Sequence, residues 1–256
     1  MPHYTRRTLV TGASAAAAAA LAGCTSTNPN PSIEASALPP PVEPAPPVPP
    51  QMAPAEAELN YSEIYGEMKG EPFPVPAVKV SQINPAFLRK NVAYPGKEAP
   101  GTIVIDPANH YLYHVEEGGR ATRYGVGVGR EGFVWSGEAN IKSKQEWPDW
   151  YPPKEMLVRR PELNKMMVKL QSGVGMHGGP GNPLGARAMY LWQGNQDTLF
   201  RIHGTIEPWT IGQSVSSGCI RMINQDVIHL YDRTPVGTKV VVLGSPNAQP
   251  VKIAHG

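Results

Sequence analysis

Residues 202–222 read I-H-G-T-I-E-P-W-T-I-G-Q-S-V-S-S-G-C-I-R-M. The stretch opens on His203-Gly204 and reaches Cys219, one of only two cysteines in 256 residues, in the turn Ser216-Ser217-Gly218-Cys219, followed by Ile220 and Arg221. A thiol among small residues and beside an arginine is placed to react rather than to pack. With an ordinary pKa of about 8.5, a thiol is mostly protonated at neutral pH, so a nucleophilic cysteine needs a base or a positive field beside it. His203 is the candidate base. A catalytic imidazole is held in one tautomer by a carbonyl or carboxylate on its far nitrogen, and a chain turning at Gly204 offers its own carbonyl. Ser216, Ser217 and Gly218 let the backbone approach a substrate closely, so the amides of Gly218 and Cys219 can face a developing oxyanion, at about 3 kcal/mol per donor. Arg221 either binds a substrate carboxylate, biases the thiol toward thiolate, or makes a structural ion pair. The bland alternatives are a buried cysteine acting as a small hydrophobe and a satisfied structural histidine.

The pattern H-G-T…S-x-S-S-G-C-I-R-M resembles the L,D-transpeptidase (YkuD-type) catalytic domain of bacterial cell-wall enzymes. So do Gly179 to Leu191, G-P-G-N-P-L-G-A-R-A-M-Y-L, and the G-F-x-W-S-G run from Gly132 to Gly137. The resemblance spans roughly Pro100 to Gly244. Ser217 departs from the commonest form, in which a histidine precedes Gly-Cys, but similar Ser-Ser-Gly-Cys members exist and the family's catalytic histidine is the upstream one. The resemblance implies a β-rich α+β domain, a sandwich or barrel-like sheet with a few short helices. It also implies a cysteine acyltransferase acting on peptidoglycan stem peptides: Cys219 as nucleophile, His203 as general base and acid, Gly204 orienting His203 through its carbonyl, Gly218 at the oxyanion, and Arg221, Ser216 and Ser217 against the substrate. Cys219 would attack the carbonyl between meso-diaminopimelate and D-alanine and release D-alanine. The acyl group would pass to a second stem, to a lysine of a wall-anchored protein, or to water. A non-catalytic wall-binding tether is the alternative from another class. No cofactor is indicated. A zinc site on Cys219, His203 and His177 is a weaker reading, because neither paired cysteines nor an H-x-x-x-H helix is present.

Outward from the site the pattern is mostly of strands. Thr102 to Asp106 and Tyr111 to Val115 flank the turn Pro107-Ala108-Asn109-His110, and Ala121 to Val128 follows as a third strand. Gly125, Gly127 and Gly129 read as strand, since G-V-G-V-G lacks the helix-opening spacing of a phosphate loop. Glu138 to Trp147 is a further strand. The aromatic loop Trp147 to Pro153 lines a groove or caps the core. Pro161 to Leu170 reads as a helix burying Met166, Met167 and Leu170, and His177 lies in a loop, near the thiol or solvated. Ala188 to Trp192 and Asp197 to Ile202 form a strand pair whose second member delivers His203. Asn224 is the expected N-cap of a helix with Asp226 in its first turn, a buried face of Val227, Ile228, Leu230 and Tyr231, and a structural His229. Thr238 to Leu243 is the last strand, before a tail from Ser245.

The amino-terminal part has another character. Arg6-Arg7, an alanine-rich run and Leu21-Ala22-Gly23-Cys24 read as an export signal over residues 1–23, twin-arginine-like or general secretory, ending in a lipobox. Cys24 is then lipidated, giving an exported, periplasmic, membrane-anchored lipoprotein; plain cleavage near Ala22 and a Cys24 to Cys219 disulfide are the competing readings. Eleven prolines between Pro29 and Pro54 mark residues 24–60 as a linker. Residues 61–99 form a lead-in with a short helix in Glu58 to Met68, and 100–244 the catalytic domain. Without residues 1–23 the chain has 21 basic and 21 acidic residues, a balance that gives no reason to expect nucleic acid as a partner.

Overall fold

The computed structural model describes residues 59–129, 136–216 and 218–244. The export segment and lipobox with Cys24, the linker as far as residue 58, Ser217, most of the G-F-x-W-S-G run and the tail from Ser245 lie outside the described residues. Among the described residues, no helix is long and apolar enough to cross a membrane.

In chain order the elements are α1 (Tyr61–Ile64), β1 (Lys90–Ala93), β2 (Ile103–Asp106), β3 (Tyr111–Glu116), β4 (Arg120–Gly125), β5 (Val128–Gly129), β6 (Gly137–Glu146), α2 (Lys154–Arg159), β7 (Val168–Leu170), β8 (Gly173–Gly175), β9 (Arg187–Gln193), β10 (Gln196–His203), β11 (Ser214–Ser216), β12 (Ile220–Arg221), α3 (Asn224–Arg233) and β13 (Lys239–Val242). Nine strands make one sheet in the order β1-β4-β3-β2-β13-β6-β9-β10-β12. Its pairs are antiparallel except β13 with β2 and β10 with β12. The sheet curls. Gly127, just beyond β4, exchanges backbone hydrogen bonds of 2.9 and 2.8 Å with Arg221 of the far edge strand. This closure makes the β-rich domain barrel-like, as the expected fold class requires.

The alternation in these strands sends Ile103, Ile105, Leu112, Tyr124, Ile141, Met189, Leu191, Ile202, Ile220 and Val240 into one core, closed by Val227 and Leu230 of α3. Each such side chain contributes about 1.5–3 kcal/mol by leaving water. The 61–99 segment is part of the domain surface. β1 adds a strand to the sheet edge, and Glu71 clamps Arg187 of β9 through two hydrogen bonds of 2.8 Å while both side chains are nearly buried.

Three local expectations are corrected. Pro161 to Leu170 is not one helix: a 3₁₀ turn over Pro161–Met166 gives way to strand β7. Its buried residue is Leu163, and Met166 is 51% exposed. The chain turns back at Gly173, φ 131°, so that Val168–Leu170 pairs with Gly173–Gly175 as strands, a reversal that a hydrophobic spacing cannot reveal. The strand from Ala121 breaks after Gly125, because the chain there leaves β3 to meet Arg221. The short helix expected within Glu58 to Met68 is present as α1. Finally, Ile223 rather than Asn224 occupies the N-cap of α3, since the Asn224 side chain is engaged elsewhere. In the aromatic loop, Trp147 caps core: it stacks edge-on against Phe73 at 5.1 Å and packs on Val75, Ala186 and Ile228.

Candidate active site

The β9–β10 hairpin ends at His203, and β12 lies beside it in parallel, pairing Ile202 with Ile220 and His203 with Arg221. Met222 N donates to His203 O at 2.8 Å and extends the ladder. Side chains alternate along a strand. Both isoleucines are fully buried in the core, so the opposite face carries Arg201 and His203 on one strand and Cys219 and Arg221 on its neighbour. Cys219 thus stands beside Arg201 and diagonal to His203, roughly 8 Å between Cα atoms from strand spacing and rise.

His203 is 5% exposed. Its Nδ1 lies 2.6 Å from Gly204 O; a carbonyl only accepts, so Nδ1 carries the hydrogen and Nε2 keeps its lone pair. Burial pushes the imidazole down to about 4, opposed by the Gly204 and Leu184 carbonyls and reinforced by the positive charges of Arg221 and Arg201. The ring is therefore neutral at physiological pH. Gly204 is glycine for a spatial reason: a β-carbon there would run into Asn224 Oδ1 and come within 3.1 Å of the Ala186 amide. Asn224 Oδ1 accepts that same amide at 3.0 Å. The turn behind the histidine is locked by the first residue of α3.

Cys219 is half-buried. Burial pushes its thiol up, while a hydrogen bond with the Arg201 backbone and the charges of Arg201 and Arg221 pull it down. Gly218 adopts φ +124°, open to glycine and strained for other residues, and the space for a β-carbon there ends 3.0 Å away at Phe200.

Two ion pairs hold the flanking arginines. Arg201 donates to both carboxylate oxygens of Asp197 at 2.8 Å and stacks over Tyr190 at 4.6 Å. Asp197 also accepts the Leu199 amide at 2.9 Å, across a break in register between Asp197 and Arg201. Leu199 sits there at φ 62° and 75% exposed, a strained position for a bulky residue that re-aims the strand toward the thiol. Arg221 pairs with Glu207 at 3.3 Å, and its Nε is buried without a partner among the described residues.

Of the residues read from sequence, His203, Gly204, Gly218, Cys219 and Arg221 come together on this face. The Ser216 backbone lies nearby in β11, paired with Gly129. His177 does not join them: its side chain is 74% exposed and lies 3.6 Å from Asp149. Sequence reading missed Arg201, Asp197, Glu207 and Asn224. Arg201 was within reach, since it stands two residues before His203 on the same strand and must share its face. Asn224 carried a misleading signal, because its type and place suit a helix cap.

Residues 100–242 match YkuD, the L,D-transpeptidase catalytic domain, and the chain belongs to that family. It is 34% identical over 149 residues to the probable L,D-transpeptidase ErfK/SrfK of Escherichia coli K12, an alignment covering 56% of this chain and 44% of that protein. The chain thus spans less than half the length of that relative. Among solved structures it is similar to a probable carnitine operon oxidoreductase CaiA from Brucella melitensis, at 53% identity and TM-score 0.42, over 64% of this chain and 99% of that one. It is also similar to an L,D-transpeptidase from Mycobacterium smegmatis, at 18% identity and TM-score 0.40, over 57% and 59% of the two chains.

Proposed function

We propose that the chain is a peptidoglycan L,D-transpeptidase with Cys219 as its nucleophile. The observation that carries this reading is the His203–Gly204 hydrogen bond of 2.6 Å, which leaves Nε2 as proton acceptor on the face that also bears Cys219. The resting pair is thiol and neutral imidazole. As Cys219 Sγ attacks the carbonyl carbon of the meso-diaminopimelate–D-alanine bond, its proton passes to His203 Nε2. The developing oxyanion is met by the amides of Gly218 and Cys219. Collapse of the adduct breaks the C–N bond, His203 returns the proton to the leaving amine, and D-alanine departs from a thioester. An acceptor amine then attacks the thioester, loses a proton to His203 and regenerates the thiol. A second stem peptide gives a 3-3 cross-link, a protein lysine gives attachment, and water gives carboxypeptidase activity.

Arg221 and Arg201 bias the sulfur toward thiolate as the proton leaves, each anchored by its own carboxylate. Arg221, with the backbone of Ser216, faces the donor stem; Ser217, expected beside them, lies outside the described residues. An oxidoreductase reading finds little support in the chain: Gly125 ends β4 and Gly127 bridges to Arg221, so these glycines are sheet backbone and no helix opens on them to hold a dinucleotide. Cys24 lipidation and periplasmic placement belong to the same proposal, resting on the Leu21-Ala22-Gly23-Cys24 motif.

Intact mass of the protein after incubation with disaccharide-tetrapeptide, and separately with a carbapenem, tests the chemistry. The expected result is an adduct on wild type and none on Cys219→Ala, with D-alanine released from the peptide. A folded, reduced protein that forms neither adduct would leave a wall-binding tether as the better reading.

A further inference from the structure

A cleft of about 440 Å³, walled on one side by Leu59 and Ile64, has Arg89, Asn91, Glu116, Thr122, His229 and Arg233 as its polar lining. It shares no residue with the thiol face. Arg89, just before β1, is only 9% exposed. Its Nε lies 3.6 Å from Asp226, yet Arg89 Nη1 and Asp226 Oδ1 are both buried without a hydrogen-bond partner among the described residues. Neither of these two atoms has surface open to the cleft, so what Arg89 presents there is the rest of its guanidinium group. Asp226 is a poor counter-ion. It is fully buried in α3, accepts the Tyr65 hydroxyl at 3.1 Å, and its carboxyl is pushed up to about 7 by burial, so near neutrality only part of it carries charge.

The rest of the lining leans the same way. Arg233 donates to the His229 carbonyl at 3.0 Å and makes no ion pair among the described residues. Glu116, the one acid lining the cleft, already accepts the Thr122 hydroxyl at 2.6 Å. Asn91 lies 3.3 Å from the Thr122 hydroxyl, whose single hydrogen goes to Glu116. Burial and the neighbouring charges of Arg89, Arg233 and His114 hold His229 down at about 3. Donors therefore converge from the sheet edge and from α3 on a space with surplus positive charge. Guanidinium groups arriving from separate elements suit a tetrahedral oxyanion, which offers acceptors in several directions.

We propose that this cleft binds a phosphate group, free or as the monoester of a small alcohol, with the guanidinium groups of Arg89 and Arg233 supplying the charge. The test is a titration of the full chain with inorganic phosphate and with glycerol phosphate, followed by amide NMR at neutral pH and constant ionic strength, with chloride as the reference anion. Saturable shifts at Arg89, Asn91, Thr122 and His229 are expected, weakened about tenfold in Arg233→Gln and unchanged in Arg160→Gln on a remote surface pair. Asn91→Asp, which places a negative charge at an exposed position of the cleft, should weaken binding even if Arg233→Gln folds poorly. Tighter binding of the ester assigns the site to an esterified phosphate and equal binding to the free ion. No saturable shift, a response that chloride reproduces, or wild-type affinity in both cleft variants would overturn the proposal and leave the thiol reading untouched.

Discussion

Asn224 Oδ1 occupies the space that a β-carbon on Gly204 would need, and from there it accepts the Ala186 amide at 3.0 Å. The first residue of α3 thus holds the turn whose carbonyl fixes the tautomer of His203. Gly204→Ala should force the carbonyl and the imidazole apart, losing at least about tenfold in acylation rate at a stability cost of about 1–3 kcal/mol. Asn224→Ala, which strands the Ala186 amide, should cost about 1–3 kcal/mol. Carbapenem acylation rates and urea unfolding check both. An unchanged rate in Gly204→Ala would show that the turn does not position His203.

The neutral imidazole sets the pH dependence. Its folded value of about 4 lies below the ordinary value of about 6.5 because burial disfavours the charged ring. The neutral form is the proton acceptor, so acylation should hold level from neutrality down to about 4 and fall below it. The same burial stabilises the fold above the ordinary value and is lost as the pH drops toward the folded one, so unfolding is followed in parallel. An acid limb centred near the ordinary value, with the fold intact, would place His203 in a wetter site than the one described.

Arg201 is the charge nearest in register to the thiol, and Asp197 keeps it there. Removing the charge in Arg201→Gln should raise the Cys219 thiol further and slow its alkylation by iodoacetamide at neutral pH by about two- to tenfold. The rate should approach that of wild type as the pH is raised and the thiolate forms. Equal rates at all pH values would mean that the field of Arg201 does not reach the sulfur.

Glu71 and Arg187 tie the 61–99 segment to β9. Glu71→Ala leaves a nearly buried guanidinium with the Ala186 carbonyl at 2.9 Å and, as its remaining carboxylate, Glu146 at 4.0 Å, so a loss of about 3 kcal/mol in unfolding free energy is expected. The indole of Trp147, which donates to Glu71 at 3.1 Å, should report it as a fluorescence change. A loss below about 1 kcal/mol would show that this pair is screened as an exposed one would be.

Residues 202–222 carried the site because its chemistry is compact in the chain: a histidine ending one strand, a cysteine starting the next, and the glycines that both turns require. Alternating apolar residues likewise announced β2, β3, β6, β9, β10 and β13, since the period of a half-buried strand is local. The 3₁₀ turn after Pro161 and the break after Gly125 were hidden, because glycine geometry and a bridge to Arg221 decided them. What only the tertiary structure decided is who stands beside whom. The parallel pairing of β10 with β12 makes Arg201 a neighbour of Cys219, the bulge at Leu199 lets Asp197 hold it, and the packing of α3 turns Asn224 from a cap into a lock. These are contacts between residues distant in sequence or facing one another across strands, and local propensity holds no information about them.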